Sequence, residues 1–116
     1  MKNFSLILLI FSLFALFPLE VKSAEILQIK SSNSILVGDQ NRTLSIKLFC
    51  VDVKEINEIK ATNLLKKEFP RGSKVKIKPF GSKENVLFAK VFDIKGTKEM
   101  SDLLIVSNLT EENCLN

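Results

Sequence analysis

Apolar and polar residues alternate with a period of two in five separate stretches of this chain, and in one long stretch between the third and the fourth the period becomes helical. Alternation turns one face of each strand toward a common core, so the pattern demands a strand-rich domain interrupted by one amphipathic helix. The first stretch, Ile26-Leu27-Gln28-Ile29-Lys30, turns at Ser31 to Asn33 and continues as Ile35-Leu36-Val37, which reads as a hairpin. Gly38-Asp39-Gln40-Asn41 is a turn cluster, after which Leu44, Ile46, Leu48 and Cys50 alternate with Ser45, Lys47 and Phe49. Between Ile56 and Glu68, Ala61, Leu64 and Leu65 form a helical stripe that extends to Phe69, with Lys60, Lys66 and Lys67 off it, and Pro70-Arg71-Gly72 ends the helix.

Beyond that stop, Val75 and Ile77 alternate with Lys74, Lys76 and Lys78, and Pro79 to Asn85 reads as a loop. Leu87, Ala89 and Val91 then alternate with Phe88, Lys90 and Phe92. Met100 to Leu109, with Ser101 as N-cap, reads as a short helix, and Thr110 to Asn116 as a polar tail. The order βββ-α-ββ-α predicts a mainly β domain with two helices, a five-stranded barrel of the OB type.

Residues 1–23 stand apart from this pattern. Lys2, an uncharged apolar run from Phe4 to Leu19 and then Val21-Lys22-Ser23-Ala24 have the layout of a secretory signal peptide, which predicts export to the periplasm or the exterior. The run of about 16 residues falls short of the roughly 20 that span a bilayer, so no stable membrane span is expected after cleavage; an uncleaved anchor is the alternative. Residues 24–116 then hold one small domain. Setting aside Lys2, Lys22 and Glu20 leaves 15 basic and 12 acidic side chains, a mildly basic balance compatible with an anionic partner.

Both cysteines, Cys50 and Cys114, lie in the exported part, where an even count points to a disulfide. The alternative is a buried thiol at Cys50 and a free one near the end. The chain has no histidine, which excludes a Ser-His-Asp or Cys-His catalytic unit, and two cysteines alone do not make a zinc site.

The element order, with Ser31-Ser32-Asn33-Ser34 in the first hairpin and Lys47-Leu48-Phe49-Cys50-Val51-Asp52-Val53-Lys54-Glu55 after the third strand, resembles the staphylococcal nuclease domain across the whole segment that follows the signal. That family carries D-G-D-T and R-L-x-x-[IV]-D-x-P-E at these places. The resemblance implies that Asn33 and Asp52 stand where calcium ligands stand, Glu55 where the general base stands and Lys47 where a phosphate-binding Arg stands. Only Asp52 and Glu55 match. The later D-x-Y-G-R element falls near Ser82 to Val86, where Lys83 is the closest cation.

Calcium prefers six to eight oxygens with several carboxylates, and lysine does not reproduce a guanidinium fork. Losing a metal carboxylate and two arginines together predicts a rate deficit above about 10⁴-fold. The expected function is therefore a catalytically inactive binding module for an anionic ligand such as nucleic acid, or for a protein. No cofactor is expected unless the ancestral calcium site is retained, in which case a weak calcium-dependent nuclease is the alternative. Asp52 and Glu55 also read as a capping box for the following helix.

Lys74, Lys76 and Lys78 project from one strand face, and Lys83 and Lys90 extend a candidate anion-binding surface. The same lysines also read as a solvated strand edge. All nine aromatic residues are phenylalanines, four of them in residues 1–23, and Phe49, Phe69, Phe88 and Phe92 are expected to fill the core.

Overall fold

The computed structural model describes residues 23–112 and 114. Its elements are β1 (Ser23–Ile29), β2 (Ser34–Asp39), β3 (Arg42–Leu48), β4 (Val51–Val53), a 3₁₀ turn (Glu55–Asn57) leading into α1 (Glu58–Glu68), β5 (Lys74–Lys83), β6 (Val86–Asp93), α2 (Met100–Val106) and β7 (Thr110–Glu112). The signal-peptide reading falls almost entirely outside the described residues, and no helix among those described is long and apolar enough to cross a membrane.

Five strands close a barrel in the order β1-β2-β3-β6-β5, which is the expected OB-type architecture with its two helices. Every neighbouring pair is antiparallel except β3 and β6, which run parallel from Ser45–Val86 to Leu48–Ala89. A parallel pair cannot be joined by a tight turn, and the long connection through β4, α1 and β5 supplies the crossover. β4 and β7 form a separate antiparallel ribbon.

The period-two residues face inward as the sequence predicts. Ile26, Ile35, Val37, Ile46, Val75, Ala89 and Val91 have no exposed surface, and Ala61, Leu65 and Phe69 of the α1 stripe close one end of the same cluster. Met100 and Leu104 of α2 complete it. Each large apolar side chain removed from water this fully contributes about 1.5–3 kcal/mol. Helix α1 stops as expected: the Phe69 N–H bonds the Leu65 carbonyl, Pro70 follows, and Gly72 takes a φ of 92° that favours glycine.

Four expectations are corrected. Of the four phenylalanines assigned to the core, only Phe69 is there; Phe49, Phe88 and Phe92 are half-buried and outside the core cluster. Phe88 and Phe92 lie on the outward register of β6, flanking inward Ala89 and Val91, so their size fills no interior space. The Pro79–Asn85 loop is instead strand: β5 runs to Lys83 with a register shift between Pro79 and Gly81, and a two-residue turn at Glu84-Asn85, both with positive φ, leads into β6. Proline is tolerated beside a bulge because the ladder is already interrupted there. The polar tail supplies β7, whose Thr110, Glu111 and Glu112 pair with Val53, Asp52 and Val51. Lastly, Glu99 and not Ser101 caps α2, its carboxylate accepting from the Ser101 and Asp102 N–H groups, while the buried Ser101 hydroxyl donates to the Phe49 carbonyl at 2.9 Å.

Candidate functional site

The β1–β2 turn is held from two sides. Lys30 and Ser31 N–H groups both donate to the Ser34 carbonyl, and the Ser31 hydroxyl donates to Asn33 Oδ1 at 3.1 Å. From the start of α1, Glu58 reaches across to the turn and accepts both the Ser32 N–H, at 2.9 Å, and the Ser32 hydroxyl. These bonds, the hydroxyl first and the backbone N–H second, hold the Glu58 carboxyl below its ordinary value of 4.5. Sequence reading missed Glu58, because an off-stripe acid in a helix carries no signal for a contact with a turn 26 residues earlier.

A depressed carboxyl pKa in the folded chain means that the unfolded chain takes up the proton first as pH falls. The stabilising contribution of Glu58 is thus complete above the ordinary glutamate value and disappears as pH drops through the lower, folded value. The chain is expected to be more stable than Glu58→Gln at neutral pH, with the difference closing on acidification. Urea midpoints measured over a pH series check this.

Against the turn lies the end of β3. The Leu48 N–H donates to the Asn33 carbonyl at 2.8 Å, and Lys47 pairs with Ser34 on one side and Phe88 on the other. Chain direction then changes at Cys50, whose φ of 66° lies in the left-handed region, and a disulfide joins Cys50 to Cys114 as the even cysteine count suggested. A cavity of about 200 Å³ opens here, lined by Asn33, Lys47, Phe49, Asp52 and Phe88 among others. The fold therefore brings together three of the four residues read from the two motifs, Asn33, Lys47 and Asp52.

Glu55 is not in that lining. It begins the 3₁₀ turn and is exposed. The capping box is not formed either: neither Lys54 nor Asn57 makes a side-chain cap, and the Asp52 N–H donates to the Thr110 hydroxyl at 2.9 Å across the β4–β7 ribbon. Pairing with β7 has claimed the N–H group that Glu55 would have accepted.

Asp52 is the one carboxylate among the described residues that lines the cavity, and Asn33 Oδ1 already accepts from Ser31. Among the described residues no three His, Cys, Asp or Glu side chains come together. This donor set does not fit a calcium ion.

Beside the cavity, Phe80 of β5 and Phe49, just beyond β3, form an aromatic pair. The Phe49 and Phe80 rings stack with centroids 4.3 Å apart and planes within 5° of parallel. Lys78 and Lys90, directly opposed across the ladder, both hold their ammonium groups over Phe80, at 5.6 and 5.9 Å from its centroid, and Lys47 lies 6.0 Å from the centroid of Phe88. Phe49 belongs to both features, so cavity and aromatic pair form one continuous surface.

No protein-family model and no curated protein matches this chain.

The five lysines proposed from sequence are not all gathered. Lys78 and Lys90 meet at Phe80; Lys83 flanks the Glu84-Asn85 turn at the far end of β5; Lys74 and Lys76 lie toward β1, opposite Glu25 and Phe92. Phe80, 45% exposed, is a second residue that sequence reading missed. The available signal was Pro79-Phe80-Gly81 directly after the lysine stripe: a proline and a glycine around one aromatic inside a strand mark a bulge that re-aims the side chain between them.

Proposed function

We propose that this chain is an exported, noncatalytic binding module of staphylococcal-nuclease type whose ligand is a single-stranded nucleic acid. The observation that carries the reading is the exposed Phe80 ring, stacked on Phe49, flanked by two lysines and continuous with the Asn33–Lys47–Asp52 cavity. Aromatic faces accept bases of any identity, and lysines beside them neutralise the backbone, which is how single strands are held without sequence readout. The OB-type barrel, the hairpin and the position of Asp52 after β3 support kinship with the nuclease family, and the disulfide supports export.

Attack of water on a phosphodiester needs a hard cation, a carboxylate that orients water, and fixed cations on the phosphate oxygens. This site offers one carboxylate, a partnered amide and a lysine, with Glu55 outside the cavity, which supports binding without cleavage.

The test combines binding with cleavage. Fluorescence anisotropy with a labelled single-stranded DNA is expected to show binding that weakens with salt, and Lys78→Ala with Lys90→Ala should lower the salt slope by about 0.7 for each phosphate that is no longer neutralised. In parallel, the chain is expected to leave the strand intact with calcium present. Glu55-dependent cleavage by the unaltered chain would overturn the noncatalytic assignment in favour of a weak calcium-dependent nuclease. Cleavage that appears only after Asn33→Asp and Lys47→Arg would uphold it. Salt-insensitive binding, or none, would favour a protein ligand.

A further inference from the structure

A groove of about 720 Å³ runs between β1 and the end of α1, and none of the residues that line it belongs to the Phe80 surface. Its accessible apolar wall is Leu27, Leu36 and Pro70, with Gln28 beside them, over a floor formed by the buried Ile26, Ile29 and Phe69. The β1–β2 ladder shifts register between Ile26 and Gln28, so Ile26 and Ile29 both point inward and Leu27 is left on the outer face, where its Cδ1 would lie 3.4 Å from a Cβ at Gly38. The missing side chain at Gly38 thus gives Leu27 room to lie flat beside the groove.

The remaining side of the groove is cationic. Lys66, in the last turn of α1, and Arg71, just beyond the helix stop, both line it. Neither is paired with a carboxylate among the described residues, where the ion pairs are Arg42–Asp39 and Lys98–Glu68. The segment bearing Arg71 is fixed in place: the Gly72 N–H donates to the Ile26 carbonyl at 2.8 Å, the Ile26 N–H to the Ser73 carbonyl at 2.9 Å, and Ser73 closes the turn onto the Pro70 carbonyl. A preformed apolar trough of this size, with two unpaired cations on one side, has the polarity of a molecule with one acidic head and one apolar tail.

We propose that this groove binds a single-chain carboxylic amphiphile of the fatty-acid type, with the carboxylate between Lys66 and Arg71 and the acyl chain along Leu27, Leu36 and Pro70. A nucleic-acid strand would leave the apolar wall unused, and a neutral lipid would leave the cations unused. The site is independent of the Phe80 surface and stands or falls separately from it.

The experiment follows the methyl resonances of the full chain while octanoate, dodecanoate or hexadecanoate is added below its aggregation threshold. Shifts are expected at Leu27 and Leu36 and not at Val91 inside the barrel, with affinity rising by up to about fourfold for each added methylene until the groove is filled. The double substitution Lys66→Glu and Arg71→Glu is expected to weaken dodecanoate by about tenfold or more while leaving dodecanol unchanged, since it replaces charge-assisted bonds to the carboxylate by repulsion and leaves the apolar wall intact. Both side chains are exposed, and an unchanged unfolding midpoint would show that the fold survives. Equal affinity for dodecanol and dodecanoate, binding to phosphatidylglycerol vesicles without binding to dispersed dodecanoate, or contacts from Phe4–Leu19 occupying Leu36 would each overturn the proposal.

Discussion

Replacing Cys50 and Cys114 together by alanine is expected to lower the unfolding free energy by about 4 kcal/mol, read as a fall in the guanidinium midpoint with a steeper slope, because the unlinked unfolded chain is less compact. The bridge closes a loop across a sequence separation of 64 residues, and the entropy it removes from the unfolded chain grows with the logarithm of that length. A domain of this size has on the order of 5–15 kcal/mol in total, so the loss is a large fraction of what holds it folded. Alanine is the right substitute because Cys50 is buried, and a serine there would add an unpaired hydroxyl to the cost. The damage should be greatest at the β4–β7 ribbon, which has three residue pairs and no third strand; hydrogen exchange at the Asp52 N–H, bonded to Thr110, is expected to accelerate more than exchange in the barrel. A change below about 1 kcal/mol would mean that the strand contacts alone hold the C-terminal segment in place.

Truncating Phe80 to alanine is expected to weaken single-stranded DNA binding by roughly 5- to 100-fold, the loss of one base–aromatic stack, with almost no effect on stability. The two effects separate because Phe80 stands on the bulge of β5, outside the core, with nearly half its surface in solvent. Phe49 beneath it orients the ring, since the two planes are within 5° of parallel, so Phe49→Leu should also weaken binding while leaving Phe80 in place. Lys78→Ala and Lys90→Ala should act mainly through salt dependence, which separates charge from stacking. Anisotropy titrations of the three variant types at two salt concentrations check the assignment. Undiminished binding by Phe80→Ala would remove its central support.

The barrel was legible in the sequence because each of its strands buries one face, and alternation at Leu44 to Leu48 or Val75 to Ile77 is the direct imprint of that burial. The α1 stripe and the helix stop at Pro70 were readable for the same reason, a helical period ended by residues that cannot continue it. β7 was not legible, since Thr110-Glu111-Glu112 buries little and owes its strand conformation to pairing with β4. The phenylalanines misled because ring size says nothing about which face of a strand a residue occupies; register does, and Phe88 and Phe92 are one residue out of phase with inward Ala89 and Val91. At the candidate site, the residues of the two motifs Asn33, Lys47 and Asp52 come to line one cavity, whereas Glu58 and Phe80 depend on contacts between segments that no local pattern encodes.

The parallel seam between β3 and β6 sets the order in which such a chain can assemble. The meander and the β5–β6 hairpin can each form from near neighbours, yet Ser45–Leu48 meets Val86–Ala89 only after α1 and β5 have been placed between them. Closure of this seam, like that of β1 onto β5 across a still longer stretch, carries loop entropy that the local pairs do not, and it leaves one edge of β3 a bare template for intermolecular pairing until it occurs.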